Sequence, residues 1–382
     1  MSQAFITHIG GFLPNDAVGN EQMESILGMV GGRPSRARRL TLRNNGIQTR
    51  HYAIDPNTLR FTHTTAQLAA EAVRAVLRRA QLSLGELECL ACGTSSADQI
   101  QPSHAHMVHG ELASPACEVM SAAGVCTSGM HAMKYAYLNV ASGLVNRAVA
   151  SGAEMASSYM IANNFAAEVE AKVVGLETRP ELAFEKDFLR WMLSDGAGAA
   201  LIQSQPNANA PSLRIDWIES ISYAGEMPAC MYSGAVKRDD GRLQTWREVD
   251  SGEVWRDSYF ALKQDARLLN EHIVELTVAR AISAVMKKRD LHADRVTWFL
   301  PHYSSEYFKP RVYQALTDVG FHLPYERWFS NLTRKGNVGS AAIYLIMEEL
   351  LYSGRLKRGD TLLCYVPESA RFSVCYMHLT VV

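Results

Sequence analysis

Three side chains stand where they could carry covalent chemistry. Cys126 sits in the run Ala122-Ala123-Gly124-Val125-Cys126-Thr127-Ser128-Gly129, where an apolar strand gives way to a helix. A thiol at a helix N-terminus faces the positive end of the macrodipole, which predicts a lowered pKa and a nucleophilic thiolate. Its own backbone N–H and those nearby are free to stabilise an oxyanion. Gly124, Ser128 and Gly129 leave room for a substrate. The competing reading is a buried inert cysteine, the usual fate of this residue type.

His302 follows the apolar run Trp298-Phe299-Leu300-Pro301, at the C-terminal end of an expected strand. That rim is where α/β proteins place their chemistry; a satisfied core histidine is the alternative. Asn337 lies in Lys335-Gly336-Asn337-Val338-Gly339, a glycine-flanked helix start much like that of Cys126. Its amide can donate a hydrogen bond to a thioester carbonyl, or it can be a turn or cap residue. His104, His106 and His109 cluster elsewhere, but their spacing does not put all three on one helix face. They read as ordinary helix residues. Cys, His and Asn together match what thioester condensation requires: a thiolate to take an acyl group and two neutral donors to hold an enolate.

The elements that must position these groups come as a repeat. Ala72 to Ser96 reads AVRAVLRRAQLSLGELECLACGTSS, and Ala281 to Ser305 reads AISAVMKKRDLHADRVTWFLPHYSS, without a gap at an offset of 209. Each has an amphipathic helix with a basic last turn (Arg78-Arg79, Lys287-Lys288), a leucine (Leu82, Leu291), and an apolar strand ending in Ser-Ser. His302 takes the place of Gly93. Further on, Gly124 to Gly143 matches Gly336 to Gly354 in design, each a glycine-flanked turn and a helix closed by Ser-Gly. The strands RAVASGAEM and DTLLCYVPES follow. Three pairs in one order suggest duplication, and we expect two similar α/β halves, residues 1–205 and 206–382, with largely parallel sheets. Two stretches have no counterpart, 163–193 and 223–257, and long insertions of this kind more often cap or line a site than decorate a surface.

Composition sets the outer bounds. The chain has 382 residues, 47% hydrophobic and 20% charged, with a formal net charge of -1. These proportions suit a soluble protein large enough for two cores and argue against nucleic-acid binding, which needs a basic surface. No signal peptide and no apolar run of about 18 residues is apparent, so neither secretion nor a membrane span is expected. Seven cysteines are an odd number in a long chain, no disulfide framework, and point to a reducing cytoplasm. Cys89 and Cys92 form a C-x-x-C, but without a second ligand pair at zinc-like spacing they read as strand residues, and no metal is expected.

At its motifs the chain resembles the β-ketoacyl-ACP synthase III enzymes of the thiolase superfamily. The resemblance runs through ITHIGGFLPNDAVGNEQME, GIQTRHYA, ACGTSSADQIQPSHA, the cysteine block, LSDGAGAALI, LPHYSS and RKGNVGSAA. It implies the five-layered αβαβα thiolase fold, usually a homodimer, without a cofactor, acting on acyl groups carried by acyl carrier protein or coenzyme A. It implies Cys126 as the acylated nucleophile, with His302 and Asn337 polarising the second thioester. One oxyanion amide would be that of Cys126; the second would lie near Ala370, where Pro367-Glu368-Ser369-Ala370-Arg371-Phe372 departs from the family's glycine-rich turn. Tyr303-Ser304-Ser305 likewise replace the usual Gln-Ala-Asn after the histidine. Ser95 stands where hydroxymethylglutaryl-CoA synthases have a catalytic glutamate, which argues against that reaction.

Within the superfamily, NNGIQTRHYA and PESARF are most similar to the ketosynthase–cyclases of dialkylresorcinol and stilbene pathways. That similarity implies joining a β-ketoacyl thioester to an α,β-unsaturated one, then closing a cyclohexanedione ring. A decarboxylative starter-unit synthase and an acyltransferase on the same scaffold are the alternatives; a catalytically dead partner subunit is disfavoured because all three groups are present. Glu154 could assist a proton transfer or serve structure. Arg33, Arg36, Arg38, Arg39 and Arg43 could form a basic docking patch for an acidic carrier protein, or a solvated mixed surface.

Overall fold

The computed structural model describes residues 2–35, 38–165, 189–238 and 240–382. Nine strands form one sheet: β1 (Phe5–Phe12), β2 (Cys89–Thr94), β3 (Glu118–Ala123), β4 (Arg147–Glu154), β5 (Gly196–Gln203), β6 (Leu213–Ser222), β7 (Trp298–Pro301), β8 (Thr361–Glu368) and β9 (Ser373–Val381). Their spatial order is β7-β8-β9-β6-β1-β5-β4-β2-β3. The link between β1 and β6 is short, Phe5 with Arg214 and Ile6 with Leu213, so the sheet divides there into two half-sheets joined at a corner.

The repeat is visible element by element. Helix α1 (Thr65–Ala80) opens on a capping box between Thr64 and Gln67 and ends on Gln81 in the left-handed conformation, φ 56°. We number the later helices α2 (His104–Leu112), α3 (Ser128–Ser142), α4 (Ala266–Val274), α5 (Ala281–Arg289), α6 (Lys309–Asp318) and α7 (Ala342–Leu351). Helix α5 ends on Asp290, also left-handed at φ 49°, at the same offset of 209 from Gln81. One-turn 3-10 helices follow both, Leu84–Glu86 and Ala293–Arg295, and then β2 and β7. The halves differ at the helix start: α1 is regular throughout, whereas α4 and α5 are joined by a π-helical turn, Glu275–Arg280.

Three apolar clusters give five layers. The first packs α1 and α2 on one face of β2, β4 and β5, through Val73, Val76, Leu90 and Leu201. The second is central, with Met133 and Val140 of α3 and Ile343 and Met347 of α7 between the inner faces of both half-sheets. The third packs the α4–α6 region on the outer face of β7–β9, through Ile282, Val312, Phe299 and Tyr376. Cys89 belongs to the central cluster and Cys92 to the outer one. Three residues apart on a strand, their side chains point to opposite faces. All seven cysteines are free thiols.

The expectation of largely parallel sheets is corrected. β2 pairs in parallel with β3 and β4, and β7 with β8; the remaining pairings are antiparallel. The residues PESARF hold only a tight turn between β8 and β9, too short for a crossover. β1, in turn, lies between β5 and β6 and runs against both.

Of the two stretches outside the repeat, residues 166–188 of the first lie outside the described residues. The second forms small antiparallel pairs, Ala235–Lys237 with Leu243–Thr245 and Met231–Tyr232 with Lys263–Gln264.

Candidate active site

The strand ends converge on one enclosed cavity holding about 870 Å³ of empty space, its open mouth included. Cys126, His302 and Asn337 all line it, together with Ser95 and Glu154. Two small residues let the halves meet here. A Cβ on Gly129 of α3 would lie 2.2 Å from the Ser340 carbonyl oxygen, and one on Gly152 of β4 would lie 2.3 Å from it. Tyr344 of α7 donates its hydroxyl to the Gly129 carbonyl at 2.7 Å. The two helix starts that carry Cys126 and Asn337 are thereby held against each other.

Cys126 lies between β3 and α3 and is partly exposed. Its backbone N–H makes no main-chain hydrogen bond to another described residue, which leaves it free to donate to a ligand. The expected lowering of the thiol pKa is not what the structure gives. Burial pushes the thiol well above its ordinary value, and the carboxylates of Glu368 and Glu154 push it further the same way. A carboxylate sits where the sequence reading leaves the helix terminus to the sulfur: Glu368 Oε2 accepts from Val125 N (3.0 Å) and Thr127 N (3.2 Å).

His302 is 4% exposed, and its main-chain N–H donates to the Tyr365 carbonyl at 2.8 Å, which ties it to β8. No hydrogen bond engages either ring nitrogen among the described residues. Burial lowers its pKa to about 4, so the imidazole is neutral at physiological pH, one nitrogen a donor and the other an acceptor. Asn337 is held on both sides of its backbone, donating to Met192 O at 3.0 Å and accepting from Ser194 N at 2.9 Å. Its Oδ1 accepts from Gly339 N at 3.0 Å, which orients the amide and leaves Nδ2 as the donor for a ligand in the cavity.

Glu154 ends β4 and is 2% exposed. It accepts from Ser95 N (3.1 Å), Ser95 Oγ (2.7 Å), Ser96 Oγ (2.8 Å) and Ser340 N (3.3 Å). Burial raises its pKa against those donors. Four donors on one carboxylate describe a structural tie rather than a mobile acid. At the turn after β8 Ser369 lines the cavity, and the neighbouring Ala370 carbonyl accepts from Cys230 N and Met231 N.

The five arginines separate. Arg33, Arg39 and Arg43 are exposed, Arg36 lies outside the described residues, and Arg38 pairs with Glu24 (2.9 Å) and Glu21 (3.1 Å). The helix Arg38–Asn45 packs against Glu306–Phe308, the segment that follows His302. Both unmatched stretches reach the cavity, through Leu189, Leu193 and Met231. Glu368 is the residue that sequence reasoning missed. A signal existed: β4 and β8 are equivalent strands of eight residues, and each ends in glutamate.

Among the described residues no cluster of metal-binding side chains occurs, and no helix is long and apolar enough to cross a membrane. Comparison with known proteins agrees with the geometry. Residues 50–182 match the thiolase N-terminal domain, and residues 286–366 match the 3-oxoacyl-[acyl-carrier-protein] synthase III C-terminal domain. The β-ketoacyl-[acyl-carrier-protein] synthase III of Cereibacter sphaeroides is 26% identical over 360 residues, 94% of each chain. That of Methylococcus capsulatus is 23% identical over 358 residues, 94% of this chain and 93% of the other.

Among solved structures, the tetronic acid condensing enzyme AbyA1 superposes with a TM-score of 0.75 at 18% identity, covering 99% of this chain and all of its own. A variant of Xanthomonas campestris OleA with bound lauric acid and lauroyl-CoA gives 0.71 at 18% identity, over 99% of both chains. The synthase III of Aquifex aeolicus gives 0.68 at 19%, also over 99% of both. The chain has the thiolase fold and is similar along nearly its whole length to condensing enzymes of the β-ketoacyl-ACP synthase III type.

Proposed function

We propose that Cys126, His302 and Asn337 join two acyl thioesters, and that the observation carrying this is their place on one cavity whose wall is mostly apolar. Leu262, Leu269, Ile273, Phe308 and Val312 form an apolar arm suited to an acyl chain. In the first step the Cys126 sulfur attacks the acyl carbonyl. The carrier thiol leaves, and the Cys126 proton reaches it through neutral His302. In the second step the partner thioester gives up an α-proton to the acceptor nitrogen of His302, which later returns it to the expelled Cys126 sulfur, or gives up CO2 if it carries an α-carboxylate. The remaining electron pair is held as an enolate by hydrogen bonds from His302 and Asn337 Nδ2. The enolate carbon attacks the acyl group, the oxyanion draws on the Cys126 N–H, and the thiolate is expelled and reprotonated.

The substrates are a β-ketoacyl thioester and an α,β-unsaturated acyl thioester, and a second carbon–carbon bond closes a cyclohexanedione ring when the β-ketoacyl γ-carbon adds across the C=C and its proton passes to the neighbouring α-carbon. NNGIQTRHYA and PESARF, the segments most similar to ketosynthase–cyclases, both border the site. Gly46 packs on Glu306 beyond His302, and Glu368 binds the cysteine loop. The second reading, decarboxylative condensation with a malonyl thioester, draws on the synthase III relatives. Acyl groups arrive on acyl carrier protein or coenzyme A, so no further cofactor is required. Arg33, Arg39 and Arg43 are the exposed cations of the docking patch.

We assign a homodimer because β3 is one of the two outer strands of the sheet and its residues are part-exposed along its length. The two halves, 1–205 and 206–382, act as one catalytic unit in each copy.

Intact-mass measurement tests the assignment. Wild type gains the mass of an acyl group from saturated, unsaturated or β-keto thioesters, and Cys126→Ala gains none. His302→Ala loads but does not condense; normal condensation by that variant overturns the mechanism. Release of CO2 from a malonyl thioester, with no cyclic product from the β-keto and unsaturated pair, selects the second reading.

A further inference from the structure

Helix α3 has no cap of its own. Its N-cap residue, Thr127, makes no side-chain capping bond, yet a buried helix start needs acceptors for its first N–H groups. The loop that leads into the helix, rather than its first turn, finds an acceptor in the other half of the chain. Glu368, the last residue of β8 and 9% exposed, takes Val125 N at 3.0 Å, Thr127 N at 3.2 Å and Thr127 Oγ1 at 2.5 Å, all on Oε2. These donors flank Cys126 on both sides. The mirror relation holds for Glu154, the last residue of the equivalent strand β4, which takes Ser340 N on the loop carrying Asn337. Each half thus sends a strand-end carboxylate across to the helix start of the other.

We propose that Glu368 is the positioning residue of the nucleophile, a crossed strut that fixes the Val125–Thr127 backbone so that the Cys126 sulfur and N–H face the cavity. The reach of this assignment goes beyond the loop. A fixed anion at the helix terminus keeps the sulfur as a thiol until a thioester arrives, and the direction of the Cys126 pKa agrees. The free cysteine is then held unreactive toward adventitious electrophiles, and its proton leaves only when an acyl carbonyl and neutral His302 are both in place. The departure of PESARF from the family's glycine-rich turn is what supplies this carboxylate.

The inference rests on Cys126 as the nucleophile only in its kinetic consequence. Two variants of the full-length protein test it. Glu368→Gln keeps an oxygen that accepts the three hydrogen bonds and removes the charge. Glu368→Ala removes both. The rate of Cys126 alkylation by iodoacetamide, followed by peptide mass mapping across pH, reads the strut without any turnover.

We expect the Glu368→Gln profile to move to lower pH by about one unit or more, with acyl loading within a few-fold of wild type. Glu368→Ala, folded by circular dichroism, should load at least ten-fold more slowly than Glu368→Gln. An unmoved alkylation profile in Glu368→Gln overturns the electrostatic part. Equal loading by folded Glu368→Ala and wild type overturns the positioning part. If Glu368→Ala does not fold, the Glu368→Gln profile still decides. Absence of acyl loading in the wild-type protein, with the profile shifted, sinks the reading of Cys126 as nucleophile and leaves the strut standing.

Discussion

The two halves of the chain share their elements in the same order, at an offset of 209 for the first helix and strand and 214 for α3/α7 and β4/β8, but use equivalent positions for different ends. At the end of β2, Gly93 has no room for a side chain: a Cβ there would lie 2.3 Å from the backbone of Ser128, at the start of the nucleophile helix. At the end of β7 the equivalent position is His302, which opens on the cavity. One copy of the repeat gives that position to packing and the other to the cavity wall. The helices that lead into these strands differ in the same sense. α1 is regular, while its counterpart carries a π-helical turn, a feature that often accompanies functional sites. Thr277 in that turn hydrogen-bonds the Tyr365 hydroxyl at 2.8 Å, and Tyr365 lines the cavity. The repeated elements thus form the scaffold, and the cavity is lined where they differ.

Four experiments break or sharpen this contrast. The largest effect is expected where the second half meets substrate. Asn337→Ala loses an enolate donor and should slow condensation about 10²–10³-fold, as removal of one oxyanion donor does elsewhere, with acyl loading of Cys126 unchanged. Equal slowing of both steps would place Asn337 in the scaffold instead.

Next is the pH dependence of stability. The folded pKa of His302, about 4, lies below its unfolded value of 6.5. The unfolded chain therefore binds a proton that the folded chain refuses between those limits. Stability is full above pH ~6.5 and falls as the pH drops towards ~4, by about 3 kcal/mol for this one group. Denaturant titrations of wild type and His302→Gln across that window should show a shallower loss in the variant.

Gly93→Ala should destabilise the fold by about 1–3 kcal/mol through overpacking against the Ser128 backbone, read as a lowered Tm, whereas His302→Gly should cost condensation more than stability. The reverse pattern would mean that the two positions are not equivalent. The smallest effect belongs to the π-helical turn. Thr277→Val removes hydrogen bonds to Ile273 O and Tyr365, costs about 1 kcal/mol, and should alter acyl-chain preference more than the rate of loading.

Much of this was legible in the sequence, and the reasons are local. The repeat of helix, cap and strand survives in AVRAVLRRA and AISAVMKKR because periodicity and left-handed caps are short-range properties. Glycines flank Cys126 and Asn337 because two helix starts meet there. Other features were out of reach. The antiparallel pairings depend on which edge of the sheet each connection returns to, and residue order does not state this. The docking arginines look like a group in sequence, but Arg38 turns inward to Glu24.

Residue types and their spacing therefore determined the duplicated α/β plan, the thiol, the imidazole and the amide, and the helix ends that carry them, since each depends on neighbours a few positions away. Tertiary structure alone decided the ionisation of the thiol. The carboxylate of Glu368 comes from 242 positions further along the chain than Cys126, and the field at a sulfur atom depends on distance in space, not along the chain.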